Sequence, residues 1–295
     1  MPLRFRNDHA QLRDGWKCTL FLLAAMACFV LVGLVGRSLP PGIKAYAPSA
    51  VLVALLGLLL TLVAVRLEGL GLASVGLRLD ARFGRQFALG LLGGCALVAI
   101  STGLVVALAG VRLLPAEPPV AGLLVKLVVT LFAGALFEEL LFRGYAFQRA
   151  VRGLGPRGAI AVFAVIFTLA HLPSGEGLER PVLLIAALGL LLDAVIQSLL
   201  FLRTGSLALP IGLHFAWNGA QQALGFGVSG SASAPAWFQP ELGQAPAWLT
   251  GGTYGLEASA LGLPVQVALL AWLWRSAERP PKQKGLAKSQ ALVAE

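Results

Sequence analysis

The stretch Glu138–Arg143, with the sequence EELLFR, is the part of the chain from which the fold and the chemistry are best inferred. It ends an apolar run predicted as a helix over 119–142, where two carboxylates and a guanidinium are costly to place. Two further apolar segments, Phe167–His171 and His214–Asn218, hold the only histidines outside the N-terminal tail. Ionisable groups inside membrane spans are usually functional, so we expect these three segments to meet in one site.

The composition is that of a membrane protein. Of the 295 residues, 57% are hydrophobic and 13% are charged, and the mean hydropathy is +0.81. A water-soluble domain of this composition could not cover its surface with polar groups. Because a span needs roughly 20 apolar residues, we predict an all-α fold, a multi-spanning transmembrane helical bundle of about eight helices. The predicted spans are 17–36, 47–65, 86–109, 119–142, 158–172, 182–202, 206–226 and 257–274.

Lysine and arginine residues are concentrated in alternate connections between these spans. Such residues mark the cytoplasmic side, which predicts a multi-pass protein of the cell (inner) membrane with both termini in the cytoplasm. The transmembrane domain is predicted over 17–275, between tails at 1–16 and 276–295, with a catalytic core at about 119–226. The net charge of +9 predicts contact with anionic head groups of the lipid bilayer, and no segment indicates nucleic-acid binding.

The predicted hairpin of spans four and five places Glu138 and His171 at the same depth. The two residues are about equally distant from the turn at 151–156, and each helix rises about 1.5 Å per residue. His214, on span seven, lies about one or two turns shallower, a gap that helix tilt would close. Asn218 follows His214 by four residues and shares its helix face. These four residues are the candidate catalytic residues.

The adjacent carboxylates are expected to have different roles. Glu139 and Arg143 are spaced i and i+4, which favours an ion pair along one helix face. Glu138 points about 100° away from Glu139, so it is available for chemistry. Asp193 and Gln197 repeat the same spacing on span six, and we expect them to make contacts between helices.

Three mechanisms are compatible with these residues. In the first, Glu138 and His171 act as the general base on water, while His214 and Asn218 donate hydrogen bonds to the oxyanion of a peptide. In the second, Glu138, His171 and His214 bind Zn²⁺ and leave a fourth position for water. In the third, the polar groups pass protons or ions. No motif places a serine, cysteine or threonine as a nucleophile, so covalent catalysis is the weakest option.

The three segments together resemble the signature of the CAAX prenyl protease and bacteriocin-processing superfamily, the CPBP or Abi intramembrane proteases. The motifs of that family are E-E-x-x-x-R, F-x-x-x-H and H-x-x-x-N or D, on successive core helices. Here they read Glu138-Glu139-Leu140-Leu141-Phe142-Arg143, Phe167-Thr168-Leu169-Ala170-His171 and His214-Phe215-Ala216-Trp217-Asn218. No defining position departs from the pattern, and the resemblance covers about 119–226.

This resemblance implies an eight-helix intramembrane endopeptidase that hydrolyses a peptide bond near the membrane face. The implied roles are water activation by Glu138 and His171, support by Glu139 and Arg143, and oxyanion stabilisation by His214 and Asn218. Members of the family have been described both as metalloendopeptidases and as metal-independent glutamate proteases. Whether the protein works without a cofactor or requires zinc therefore stays open at this point.

Several alternatives remain open from the sequence. The implied partner is a peptide or protein substrate at the membrane, while nothing in the sequence indicates its identity or the oligomeric state. The main alternative function is that of a non-catalytic membrane immunity or scaffold protein, and a transporter is the third. The basic connections beside spans four to seven favour a site that opens towards the cytoplasm.

Overall fold

The computed structural model describes residues 12–38, 49–117, 120–172, 178–231 and 236–277. It confirms an all-α bundle. The helices are α1 (Asp14–Ser38), α2 (Ser49–Leu67), α3 (Ala81–Ala109), α4 (Ala121–Phe142), α5 (Tyr145–His171), α6 (Arg180–Thr204), α7 (Ala208–Ala223), α8 (Ala247–Thr250) and α9 (Leu263–Ala277). Two short strands, β1 (Arg112–Pro115) and β2 (Phe238–Glu241), pair antiparallel. Most of the two predicted tails lies outside the described residues.

Most of the long helices meet the requirements of a membrane span. Five helical stretches are long and apolar enough to cross a membrane, by length and composition: α1, α2, α3, the stretch Ala121–His171 and α6. The fourth of these stretches contains both α4 and α5. Helices α7 and α9 have 16 and 15 residues, so their crossing of the bilayer stays a prediction.

The chain reverses direction at Gly155, whose φ of 74° interrupts α5. The rings of Phe147 and Phe163, eight residues to either side of Gly155, lie 5.4 Å apart, as in an antiparallel hairpin. This reversal confirms the turn predicted at 151–156. A separate break at Gly144, where an added Cβ would lie 2.2 Å from the carbonyl oxygen of Leu140, divides α4 from α5.

The backbones of helices α3 and α7 lie so close together that the contact points have no room for a side chain. An added Cβ on Gly90 of α3 would lie 2.3 Å from the carbonyl oxygen of Leu209, and one on Gly212 of α7 would lie 2.3 Å from that of Phe87. Small residues permit such backbone contact between membrane helices. This contact supports α7, the helix that presents the motif His214–Asn218 to the bundle.

The connections at the end of the bundle opposite the two termini fold into a compact cap. We define the end cap as residues 224–231 and 236–262. Tyr254 and Leu256 of the end cap are 0% and 1% exposed, and the hydroxyl of Tyr254 donates to the carbonyl oxygen of His171 at 2.9 Å. Strand β2 of the end cap pairs with β1. The end cap is thus packed onto the end of α5 and fixes it.

A charged cluster ties α1, α2 and α5 together at the other end of the bundle. Glu68, which follows α2, lies 3.0 Å from Nζ of Lys17 and 3.0 Å from Nη1 of Arg149, and the hydroxyl of Tyr145 donates to it at 2.5 Å. Burial raises the pKa of Glu68, but the hydrogen bonds and the two cations outweigh burial and hold this pKa below its usual value. The cluster lies at the end that carries most of the basic residues.

Two adjacent glycines of α3 test the close contact with α7. An added Cβ on Gly94 would lie 2.5 Å from the carbonyl oxygen of Leu213, whereas one on Gly93 would meet only a methyl group of Leu213 at 3.9 Å. We expect Gly94→Ala to destabilise the protein by about 1–3 kcal/mol, as overpacking does, and Gly93→Ala to have little effect. Thermal unfolding of the purified variants in detergent measures the difference. Equal midpoints for the two variants would contradict the contact.

Candidate active site

The carboxylate of Glu138, on α4, faces histidines from two other helices. Its Oε2 lies 3.2 Å from Nε2 of His171 on α5 and 3.7 Å from Nε2 of His214 on α7. The side chain of Glu138 is 25% exposed, whereas its Oε2 is buried. The structure thus brings together three of the predicted residues, and His214 reaches the depth of the other two.

The outer ring nitrogen of each histidine has its own acceptor. Nδ1 of His171 lies 2.8 Å from the carbonyl oxygen of Phe167, one turn earlier in α5. Nδ1 of His214 lies 2.9 Å from Oε1 of Glu139. A carbonyl or carboxylate oxygen only accepts, so we infer that both Nδ1 atoms carry hydrogen. In the neutral rings, the lone pair is then on Nε2 and directed towards Glu138.

Glu139 and Arg143 form a buried ion pair behind these groups. Nη1 of Arg143 donates to Oε1 of Glu139 at 3.0 Å, and the two side chains are 1% and 0% exposed. Nη2 of Arg143 donates to the carbonyl oxygen of Ala194 on α6 at 3.1 Å. The guanidinium also lies 5.2 Å from the ring centroid of Phe167, whose ring stacks on that of His171 at 4.2 Å. The pair therefore connects α4, α5, α6 and α7 directly beneath the histidines.

The reacting groups line a cavity of about 440 Å³. The residues that line it are Glu138, Phe167, Ala170, His171, Leu172, Gly189, Leu190, Asp193, Gln197, His214, Trp217, Asn218, Val228, Ser229, Ser231, Glu257 and Gln266. The fourth predicted residue, Asn218, is among them. The cavity is large enough for water and part of a peptide chain.

Part of the cavity lining comes from the end of the bundle opposite the two termini. Val228, Ser229 and Ser231 of the end cap line it, and Ser231 is exposed. We expected the site to open on the side of the basic connections, and the side on which it opens stays a prediction.

Sequence reasoning missed one buried carboxylate of the cavity, that of Glu257. Its Oε2 accepts from the backbone N–H of Ser229 at 2.8 Å and from the hydroxyl of Ser229 at 3.0 Å. Its Oε1 accepts from Nε1 of Trp217 at 3.2 Å and from Nε2 of Gln221 at 3.4 Å. Glu257 therefore fastens the end cap to α7. An acidic residue at the start of the apolar run 257–274 was a signal that could have identified it.

The site has donors of the types that bind catalytic zinc, one carboxylate and two imidazoles. In the part of the chain that the structure describes, no group of three or more His, Cys, Asp or Glu side chains is arranged to hold a metal ion. The two Nε2 atoms instead approach the same oxygen of Glu138 at 3.2 and 3.7 Å. Distances of this size occur both in direct contacts and between two ligands of one tetrahedral ion, so the requirement for zinc stays a prediction.

Comparison with known proteins identifies the region that holds the site. Residues 120–220 match the family described as type II CAAX prenyl endopeptidase Rce1-like. This match confirms the resemblance to the CPBP family, and all seven defining motif residues lie within it. No curated protein and no solved structure matches the chain. At the level of the family, the match supports a CAAX-protease-type endopeptidase that acts on a peptide at the membrane, and with the apolar helices it supports an integral membrane protein.

The buried ion pair can be tested by removing one partner or both. Arg143→Met leaves the Glu139 carboxylate buried without its cation, so we expect a loss of about 3–5 kcal/mol of stability. The double variant Glu139→Leu/Arg143→Met removes both charges and is expected to recover part of that loss. Unfolding midpoints of the purified proteins provide the measurement.

The matched control is the exposed ion pair between Arg112 and Glu241, whose side chains are 74% and 52% exposed. Arg112→Met should cost less than about 1 kcal/mol, since exposed pairs contribute little. If Arg143→Met were as mild as this control, the buried pair would not have the structural role inferred from its geometry.

Proposed function

We propose, from the Rce1-like region at 120–220 and the geometry of its motif residues, that the protein is an intramembrane endopeptidase in which Glu138 and His171 activate water. The observation that carries this proposal is the position of Glu138 Oε2, 3.2 Å from Nε2 of His171. The Nε2 atom is directed there by the hydrogen bond between Nδ1 and the carbonyl oxygen of Phe167. A carboxylate and an imidazole that share one proton at the edge of a cavity together form a general base.

The proposed reaction is a hydrolysis in which the protein forms no covalent bond with the substrate. A water molecule beside Glu138 loses a proton to the base while its oxygen attacks the carbonyl carbon of the peptide. The tetrahedral intermediate then breaks the C–N bond, and the same proton is delivered to the departing nitrogen. The other proton of the water passes from the new carboxyl group to the amine, so the products are a carboxylate and an ammonium group, and Glu138 and His171 return to their starting protonation states.

His214 and Asn218 are proposed to stabilise the negative oxygen of the intermediate. Asn218 lines the cavity, and its amide group can donate a hydrogen bond. His214 can donate from Nε2 when its ring carries the second proton, and its Nδ1 is held by Glu139 at 2.9 Å. Removal of one such donor typically lowers kcat by about 10²–10³-fold.

The buried ion pair is proposed to support the reaction by fixing the orientation of these groups. Glu139 holds the ring of His214, and Arg143 holds both Glu139 and the backbone of α6 at Ala194. A catalytic group that is already oriented loses little entropy in the transition state. In this role Glu139 and Arg143 are positioning residues.

The substitution Glu138→Gln tests the proposed activity, because it keeps the size of the side chain and removes the base. We expect it to lower cleavage by at least about 10²-fold, the usual contribution of a general base. The measurement compares newly created peptide termini in membranes that contain equal amounts of wild-type protein, Glu138→Gln or Glu241→Gln. Glu241 is exposed and lies outside the cavity, so its variant is the matched control.

Termini found with the wild type and the control, but not with Glu138→Gln, would support the endopeptidase. Identical termini in all three membranes, with the proteins folded, would contradict it and favour a non-catalytic immunity or scaffold protein. A chelator added to the purified protein separates the two chemistries. Water activation by Glu138 and His171 predicts unchanged cleavage, whereas a loss that Zn²⁺ alone restores would favour the zinc mechanism.

A further inference from the structure

Two residues of α6 that line the active-site cavity have side-chain oxygen atoms that accept no hydrogen bond from the described residues. Gln197 is 1% exposed and lines the cavity. Its Oε1 is buried and has no hydrogen-bond partner among the described residues. A buried carbonyl oxygen without a donor is unfavourable, and a ligand that donates a hydrogen bond would remove this cost.

Asp193 lies one turn before Gln197 and lines the same cavity. Between the residues that the structure describes, its carboxylate forms no hydrogen bond and no ion pair. Arg143 and His214 lie near enough to act on its charge, but Arg143 donates to Glu139 and Ala194 and Nδ1 of His214 is held by Glu139. Asp193 thus combines a negative charge with free acceptor positions.

The charge of the cavity favours a cationic ligand. Among the described residues, its lining contains the carboxylates of Glu138, Asp193 and Glu257 and no lysine or arginine. Glu138 faces the two histidines, and Glu257 already accepts four hydrogen bonds. Of these three carboxylates, that of Asp193 is therefore the one still available to a substrate.

We propose that Asp193 and Gln197 form a subsite for a basic side chain, lysine or arginine, of the peptide substrate. The proposal rests on the proposed endopeptidase function and adds the class of substrate. A lysine ammonium has three donors and an arginine guanidinium has five, so either has enough donors to bond the Asp193 carboxylate and Oε1 of Gln197 together. Because both acceptors share a cavity with Glu138, the basic residue lies close to the bond that is cut.

A purely structural role for Asp193 makes a different prediction. If its charge only balanced the nearby Arg143, then Asp193→Asn would weaken the fold and reduce cleavage of every substrate alike. A subsite instead predicts a change in selectivity. The ratio of kcat/KM between a basic and a neutral peptide separates the two roles, because losses from reduced stability cancel in that ratio.

The experiment begins with the cleavage sites mapped by comparing termini from wild-type and Glu138→Gln membranes. We expect lysine or arginine to be enriched within a few residues of these sites. A synthetic peptide that spans the most abundant site is then compared with the same peptide carrying norleucine in place of the basic residue. For the wild type, the basic peptide should have a kcat/KM about tenfold or more above that of the norleucine peptide, as expected for a charge-assisted hydrogen bond.

Asp193→Asn should reduce this preference to near unity while cleavage of the norleucine peptide continues. Gln197→Leu removes only the neutral acceptor and should reduce the preference by a smaller factor, which keeps the test decisive if Asp193→Asn fails to fold. Glu241→Gln removes one negative charge outside the cavity and should leave the preference unchanged.

The outcomes distinguish this proposal from the function on which it rests. Absence of termini that depend on Glu138 would overturn the endopeptidase and the subsite together. Termini that depend on Glu138 but show no basic enrichment would overturn the subsite alone. An unchanged preference for the basic peptide in both Asp193→Asn and Gln197→Leu would also overturn it.

Discussion

The arrangement of the site depends on one buried ion pair, that between Glu139 and Arg143. Both side chains are essentially inaccessible to solvent, and the removal of one partner would leave the other charge buried and uncompensated. Glu139 accepts from Arg143 and from His214, while Arg143 also donates to the backbone of α6. The cost of burying the charges thus restricts α4, α6 and α7 to the one packing in which these contacts are made.

The two histidines of the cavity are held in different ways. Nδ1 of His171 contacts a carbonyl oxygen of its own helix, so its ring orientation follows from local helix geometry and from stacking on Phe167. Nδ1 of His214 contacts a carboxylate of another helix, so its orientation follows from tertiary packing. Both arrangements leave Nε2 directed at Glu138, and the wet cavity between them provides the place for chemistry.

The parts of this structure that could be predicted from sequence are those with a local physical cause. Apolar runs predicted the helices, i and i+4 spacing predicted the Glu139–Arg143 pair, and equal distances from a turn predicted that Glu138 and His171 meet. Contacts made by the end cap could not be predicted, because no local pattern relates Glu257 to Ser229, which lie 28 positions apart in the sequence. The same holds for the share of the end cap in the cavity, since Val228, Ser229 and Ser231 reach the lining only through the folding of the end cap.

Hydrogen-bond acceptors behind the rings of His171 and His214 keep Nδ1 protonated and direct Nε2 at Glu138. The chain has three histidines, so ¹⁵N NMR of protein labelled at histidine can resolve each ring, with His9→Gln and the two cavity variants His171→Gln and His214→Gln providing assignments. At a pH of about 8, above the usual histidine pKa, the account predicts a protonated Nδ1 in both His171 and His214. An unprotonated Nδ1 in either ring would contradict it.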